Sequence, residues 1–189
     1  MDTLRAVLVG CGSMSRAWLR AAAATEGLSI AGLVDIVEDA ARARKDEFAL
    51  ADAHTGDDLE AMLVATRPDI VFDVTVPEAH AQTTLTALRH GCHVLGEKPM
   101  AASMDDARRM VEAAQRSGRL YAVVQNRRYT APIRRVREFL CRGAIGPLTT
   151  VNCDFYIGAH FGGFRDRMAH VLLLDMAIHT FDQARFLTG

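Results

Sequence analysis

The sequence predicts an α/β fold, with a doubly wound parallel sheet at the N-terminal end and a change of pattern after it. Three observations carry this reading. Short apolar runs begin near residues 5, 28, 70, 93 and 120 and alternate with helical patterns, a spacing that fits parallel strands joined by crossover helices. The first run ends in Gly10-Cys11-Gly12-Ser13-Met14-Ser15, and an alanine-rich helical pattern over 16–24 follows at once. The second run, 28–34, ends in Asp35, 20 residues past Ser15.

A strand, a glycine turn and a helix N-terminus in that order make a seat for a pyrophosphate. Gly10 permits the turn and Gly12 lets backbone approach the phosphates. The helix then offers free N–H groups and the positive end of its dipole. Ser15 stands where this fingerprint prefers Gly or Ala, so helix and strand are expected slightly further apart. Asp35 is placed to accept from the adenosine ribose hydroxyls, against the plainer reading of a surface carboxylate at a strand end. Its charge opposes a 2′-phosphate, so NAD is expected rather than NADP.

The remaining elements follow in order. Residues 37–48 read as a helix with Arg42, Arg44 and Lys45 on a solvated outer face. A short edge strand is predicted over 51–54 and a helix over 57–65, with His54 as a loop residue. Ile70-Val71-Phe72-Asp73-Val74 is a parallel strand interrupted by one acid, and Pro77 opens the next helix. The strand over 93–96 closes in Glu97-Lys98-Pro99, where proline fixes the exit of the backbone and gives Lys98 one bearing; a solvated loop cation is the alternative. Ser103 caps a helix running to Ser117, and Gly118 ends it. A strand over 120–124 leads into Gln125-Asn126-Arg127-Arg128, whose arginines read as ion-pair residues. Ligands of doubly wound sheets bind beyond the carboxyl ends of the strands. Gly10, Asp35, Thr75, Pro77, Glu97 and Lys98 all fall at such ends.

The pattern changes near residue 126, so the domains expected are 1–125 and 126–189. A basic amphipathic helix over 132–141 and a turn over 143–147 precede a strand over 148–156 with one buried face. A loop over 157–167 holds Gly158, Gly162 and Gly163, with His160, Arg165 and His170 in or beside it. In the last segment, 172–182, Asp175 and His179 are four apart and share one face of a helix. Two titratable groups on an apolar helix are costly to bury unless they act together; a carboxylate and imidazole that merely pair are the alternative.

Composition excludes several classes of partner. With 22 basic against 23 acidic residues there is no electrostatic footprint for nucleic acid or an anionic membrane. No apolar stretch approaches the length of a membrane span, and the N-terminus does not read as a signal peptide. Cys11, Cys92, Cys141 and Cys153 form no C-x-x-C pair, which suits reduced thiols, and no metal site is read. A cytoplasmic protein acting on a small molecule is expected.

Taken together, the glycine turn, Asp35, the Thr75-Val76-Pro77-Glu78-Ala79-His80 segment, Glu97-Lys98-Pro99 and Asp175-x-x-x-His179 resemble the glucose-fructose oxidoreductase and inositol dehydrogenase family, Gfo/Idh/MocA, from about Leu4 to Gly189. The resemblance implies an N-terminal Rossmann domain that binds NAD or NADP through Gly10, Gly12, Ser13, Met14, Asp35, Thr75, Pro77, His80, Glu97 and Lys98. It also implies a C-terminal α/β domain with an open, mainly antiparallel sheet. By that similarity Lys98 holds the reacting oxygen, His179 is the general acid/base, and Asp175 binds the substrate or orients the chemistry. The activity implied is that of a nicotinamide-dependent dehydrogenase, acting as a homo-oligomer on a hydroxyl carbon of a sugar, polyol or cyclitol. An NAD-dependent glycosidase of similar fold and a non-catalytic dinucleotide-binding module are the alternatives. Relatives of this kind are longer, so a C-terminally truncated chain is expected, with Leu172, Leu173 and Phe181 exposed in a way that favours self-association.

Overall fold

The computed structural model describes residues 3–156 and 162–189, so Gly158 and His160 lie outside the described residues. The chain divides into two compact units, Met1–Val124 and Gln125–Gly189.

In the first unit the strands are β1 (Leu4–Val9), β2 (Leu28–Val34), β3 (His54–Gly56), β4 (Ile70–Asp73), β5 (His93–Gly96) and β6 (Tyr121–Val123). They alternate with helices α1 (Ser15–Ala23), α2 (Glu38–Glu47), α3 (Leu59–Thr66), α4 (Pro77–Arg89) and α5 (Met104–Ser117). The sheet order is β3-β2-β1-β4-β5-β6 and its five pairings are parallel. Such an order reverses direction between β1 and β4, which makes the carboxyl ends of those two strands the switch point where ligands bind.

Alternate residues of the central strands feed the two faces of the sheet. Val7, Val9, Val34, Val71 and Val94 pack with Met62, Leu63, Ala87 and Leu88 of α3 and α4. Ala6, Leu8, Leu33 and Phe72 pack on the other side with Leu19, Ala22 and Ala41 of α1 and α2. Strands buried on both faces read as continuous apolar runs, which is why they stood out in the sequence.

The helix ends follow local chemistry. Ser103 accepts from the Asp106 N–H at 3.1 Å to start α5, and Asp58 accepts from the Ala61 N–H at 3.0 Å to start α3. The third strand begins at His54, three residues later than the predicted 51–54. The N–H groups of Ala51 and Ala53 are taken by a turn, bonding the carbonyls of Ala49 and Leu50 at 3.0 Å each. Ladder pairing therefore starts at His54, which lies opposite Gly32.

The second unit holds a 3₁₀ turn at Asn126–Tyr129, helix α6 (Ala131–Cys141), a 3₁₀ turn at Gly163–Arg167, a π turn at Leu172–Met176 and helix α7 (Ala177–Thr188). The predicted strand over 148–156 does not form, and those residues are exposed without regular structure. A strand needs a neighbour for its N–H and C=O groups, and no strand occurs among the described residues of this unit.

Candidate cofactor and active site

The turn after β1 is shaped by two glycines that do different things. Gly10 has φ +92°, and a Cβ there would lie 2.6 Å from the Val74 carbonyl oxygen and 2.8 Å from the Thr75 nitrogen. Its bare α-carbon lets the ends of β1 and β4 close on each other at the switch point. A Cβ on Gly12 would meet nothing within 4 Å, so this glycine leaves open space instead. Ser13 and Met14 beside it are exposed. Helix α1 begins with no side-chain cap and no acid in its first turn, which leaves its positive end suited to a phosphate.

Asp35 closes this turn from the end of β2. One of its oxygens accepts from the Cys11 N–H at 2.7 Å and the other from the Val37 N–H at 2.9 Å. A carboxylate has about four acceptor positions, so room remains on both oxygens for ribose hydroxyls. Burial, then the neighbouring Asp35 charge, pushes the Cys11 thiol up to about 12.

The outer face assigned to α2 holds only in part. Arg42 lies there, paired with Glu38 at 2.9 Å. Arg44 instead turns inward, its side chain 11 % exposed. Its Nε donates to the Ser15 hydroxyl at 2.9 Å, and that hydroxyl donates to the Gly12 carbonyl at 2.5 Å. Glu47 then joins Arg44 at 2.6 Å to Arg16 of α1 at 2.7 Å. Serine at the fingerprint's third small position is thus a hydrogen-bonding link between α2 and the glycine turn.

A buried polar cluster stands under Thr75. Asp73 Oδ1 accepts from the Thr75 hydroxyl at 2.6 Å and the Thr75 N–H at 3.2 Å, and lies 3.0 Å from His80 Nδ1. The Thr84 hydroxyl donates to Oδ2 at 3.3 Å. Asp73 and His80 are 0 % and 1 % exposed. His80 therefore lies beneath the site surface, and Pro77 is buried as well, whereas Thr75 is half-buried at the edge. Burial and the Asp73 charge together raise the Tyr121 phenol. Sequence reasoning passed over Asp73 as an interruption in an apolar run. The available signal was that an acid in a doubly covered strand requires donors, and threonines and a histidine follow at 75, 80 and 84.

At the end of β5 the Glu97 N–H donates to the Asp73 carbonyl at 2.8 Å. The Glu97 carboxylate accepts from the Trp18 indole N–H at 2.8 Å and from the Lys98 backbone N–H at 3.1 Å. Gly10, Asp35, Thr75, Glu97 and Lys98 thus follow strands that run the same way and share one edge of the sheet.

In the second unit Asp175 and His179 are buried, at 1 % and 5 % exposed. Asp175 lies in the π turn rather than in the α-helix predicted for it, and His179 follows on α7. Such turns carry an extra residue and recur at functional sites. The Arg165 Nε donates to Asp175 at 2.7 Å, and Arg165 also lies over the Phe164 ring at 4.6 Å. Arg128 forms an ion pair with Asp182, which raises the Arg128 guanidinium. Among the described residues no group of three or more His, Cys, Asp or Glu is arranged to hold a metal ion, and no helix is long and apolar enough to cross a membrane.

A six-stranded doubly wound sheet with an open glycine turn and an acid closing that turn from the next strand defines a dinucleotide-binding Rossmann domain. Residues 4–125 match the oxidoreductase family described as having an NAD-binding Rossmann fold, and residues 133–189 match the Gfo/Idh/MocA C-terminal domain. The chain belongs to the Gfo/Idh/MocA family of oxidoreductases. It is 32% identical over 188 residues to D-apiose dehydrogenase of Paraburkholderia graminis, covering 98% of this chain and 50% of that one. It is 29% identical over 184 residues to 1,5-anhydro-D-fructose reductase of Ensifer adhaerens, covering 95% and 55%. Among solved structures, an oxidoreductase from Agrobacterium radiobacter in complex with NAD+, L-tartaric acid and magnesium superposes with a TM-score of 0.84 at 25% identity, covering 98% of this chain and 55% of that one. The chain spans about half the length of the curated relatives it matches.

Proposed function

We propose that this chain carries the cofactor domain and part of the substrate domain of an NAD-dependent dehydrogenase acting on a hydroxyl carbon of a sugar, polyol or cyclitol. The observation that carries the reading is the shared edge of the sheet, where the open turn at Gly12, the Asp35 carboxylate, Thr75 and Lys98 follow adjacent parallel strands. The similarity to D-apiose dehydrogenase and 1,5-anhydro-D-fructose reductase supports the substrate class.

The nicotinamide, when bound, supplies the hydride chemistry. The chain's residues have the other tasks. The turn and the start of α1 hold the pyrophosphate, and Asp35 accepts from the ribose hydroxyls and opposes a 2′-phosphate. The Lys98 ammonium stabilises negative charge developing on the substrate oxygen. His179 takes the hydroxyl proton and returns it in the reverse direction, since imidazole titrates near neutral pH. Asp175, held by Arg165, binds the substrate or orients His179.

Calorimetry with NAD followed by NADH absorbance across a polyol and sugar panel tests this. Lys98→Met is expected to lower turnover by at least about a hundredfold while NAD affinity changes by less than about threefold. Equal losses in both would contradict the role given to Lys98. Binding of NAD with no turnover on any member of the panel would make this chain a dinucleotide-binding module.

A further inference from the structure

We propose that Trp18 is a positioning residue that fixes Lys98 to the helix whose N-terminus faces the pyrophosphate, acting through the carboxylate of Glu97. This deepens the reading above and rests on it. Trp18 is the fourth residue of α1, and helical side chains lean toward the N-terminus of their helix. Its ring packs on Phe72 with centroids 5.3 Å apart at 51°, which accounts for an aromatic residue here but not for an indole. The indole N–H has its own partner, Glu97 Oε1 at 2.8 Å. The other oxygen of that carboxylate receives the Lys98 N–H at 3.1 Å. One carboxylate therefore joins a donor on α1 to the backbone of Lys98, and hydrogen bonds to a charged acceptor are the stronger kind. The consequence is geometric: the phosphate seat and the ammonium that meets the substrate oxygen are referred to one rigid helix, across 79 residues of sequence. Positioning of this sort matters because small misplacements at a reacting centre cost rate out of proportion to their size.

The composition makes the proposal measurable, because the chain has one tryptophan and two lysines, Lys45 and Lys98. Protein grown on [ε-13C]lysine shows two side-chain signals, which Lys45→Arg assigns. Trp18→Phe keeps a ring on Phe72 and removes the donor. In that variant the Lys98 signal is expected to move or broaden, while affinity for ADP-ribose, which carries the pyrophosphate without the nicotinamide, stays within about twofold. In the polyol assay the same variant lowers kcat and leaves KM for NAD nearly unchanged. Should Trp18→Phe fail to fold, Glu97→Gln reads the same signal, since it replaces one acceptor by a donor and leaves one of the two N–H groups without a partner. A Lys98 signal identical to wild type in a folded variant overturns the proposal. Failure of the wild-type chain to bind NAD or ADP-ribose instead overturns the functional reading, and the lysine signals still report whether the Trp18–Glu97 link holds Lys98.

Discussion

In the first unit Asp73 of β4 and His80 of α4 are buried against a sheet whose faces are filled by valine, leucine and alanine, whereas in the second the buried residues among those described are Asp175 and His179 themselves. Leu172, Leu173 and Phe181, on the same segment, are 54 %, 54 % and 57 % exposed. The contrast separates two reasons for burial. In the first unit polar groups are enclosed because the apolar strands around them leave water, and the Asp73 carboxylate is then met by Thr75, Thr84 and His80 Nδ1. In the second no described apolar side chain is buried, so the hydrophobic effect does not account for Asp175. The Arg165 guanidinium meets that carboxylate at 2.7 Å and offsets part of the cost of its desolvation. An exposed leucine is common, but an inaccessible carboxylate beside one is informative.

Four experiments break or sharpen that contrast, and the largest effect is expected at Asp73. Asp73→Ala leaves Thr75, Thr84 and His80 without their shared acceptor, and should destabilise the first unit by about 3 kcal/mol or more, read by urea unfolding on Trp18 fluorescence. A cost under about 1 kcal/mol would mean that the cluster is not integral to the core.

The two glycines of the turn come next. Gly10→Ala meets backbone at 2.6 Å in a left-handed conformation and is expected to lower both the melting temperature and NAD affinity. Gly12→Ala enters open space, so unfolding should change by less than about 0.5 kcal/mol while NAD affinity drops about tenfold. Calorimetry beside thermal unfolding separates the two. Equal behaviour would refute the distinction between a packing glycine and a cradle glycine.

In the second unit, Asp175→Ala removes the partner of Arg165 and should cost about 1–3 kcal/mol of local stability, seen as faster hydrogen exchange in peptides covering 172–188. Leu172→Gln should leave that exchange nearly unchanged. The reverse ranking would show that the leucines, not the carboxylate, order the segment.

The smallest effect concerns the thiols. Cys11 and Cys92 are buried and Cys141 and Cys153 exposed, and burial raises both buried thiols above their ordinary value. The thiolate is the reactive form, so a raised pKa means less of it at pH 8. Native protein should react quickly with a disulfide reagent at two cysteines, and unfolded protein at four. Fast labelling of Cys11 would show that the glycine turn opens.

Much of this was legible in the residue pattern. Parallel strands covered on both sides are mostly apolar, and a turn with a left-handed residue against neighbouring backbone favours glycine. Such constraints act over a few residues, so β1, β2, β4, β5 and the turn at Gly10 can be read directly. The helix caps at Ser103 and Gly118 are equally local.

The partners were not legible. Arg44 read as one more cation on a polar helix until folding brought it onto Ser15, and nothing in the residue pattern singled out Trp18, whose indole meets Glu97 from the end of β5. The strand expected over 148–156 has the right alternation, yet a strand exists only with a neighbour to bond. Spacing put Asp175 and His179 on one helix face, but it showed neither the π turn at Asp175 nor the contact of that carboxylate with Arg165, ten residues away. Residue pattern prescribes what each segment tends to be because propensity and sterics are short-ranged. Which side chains meet, and so which charges are satisfied, depends on contacts between residues far apart in the chain, and these exist only after it has folded.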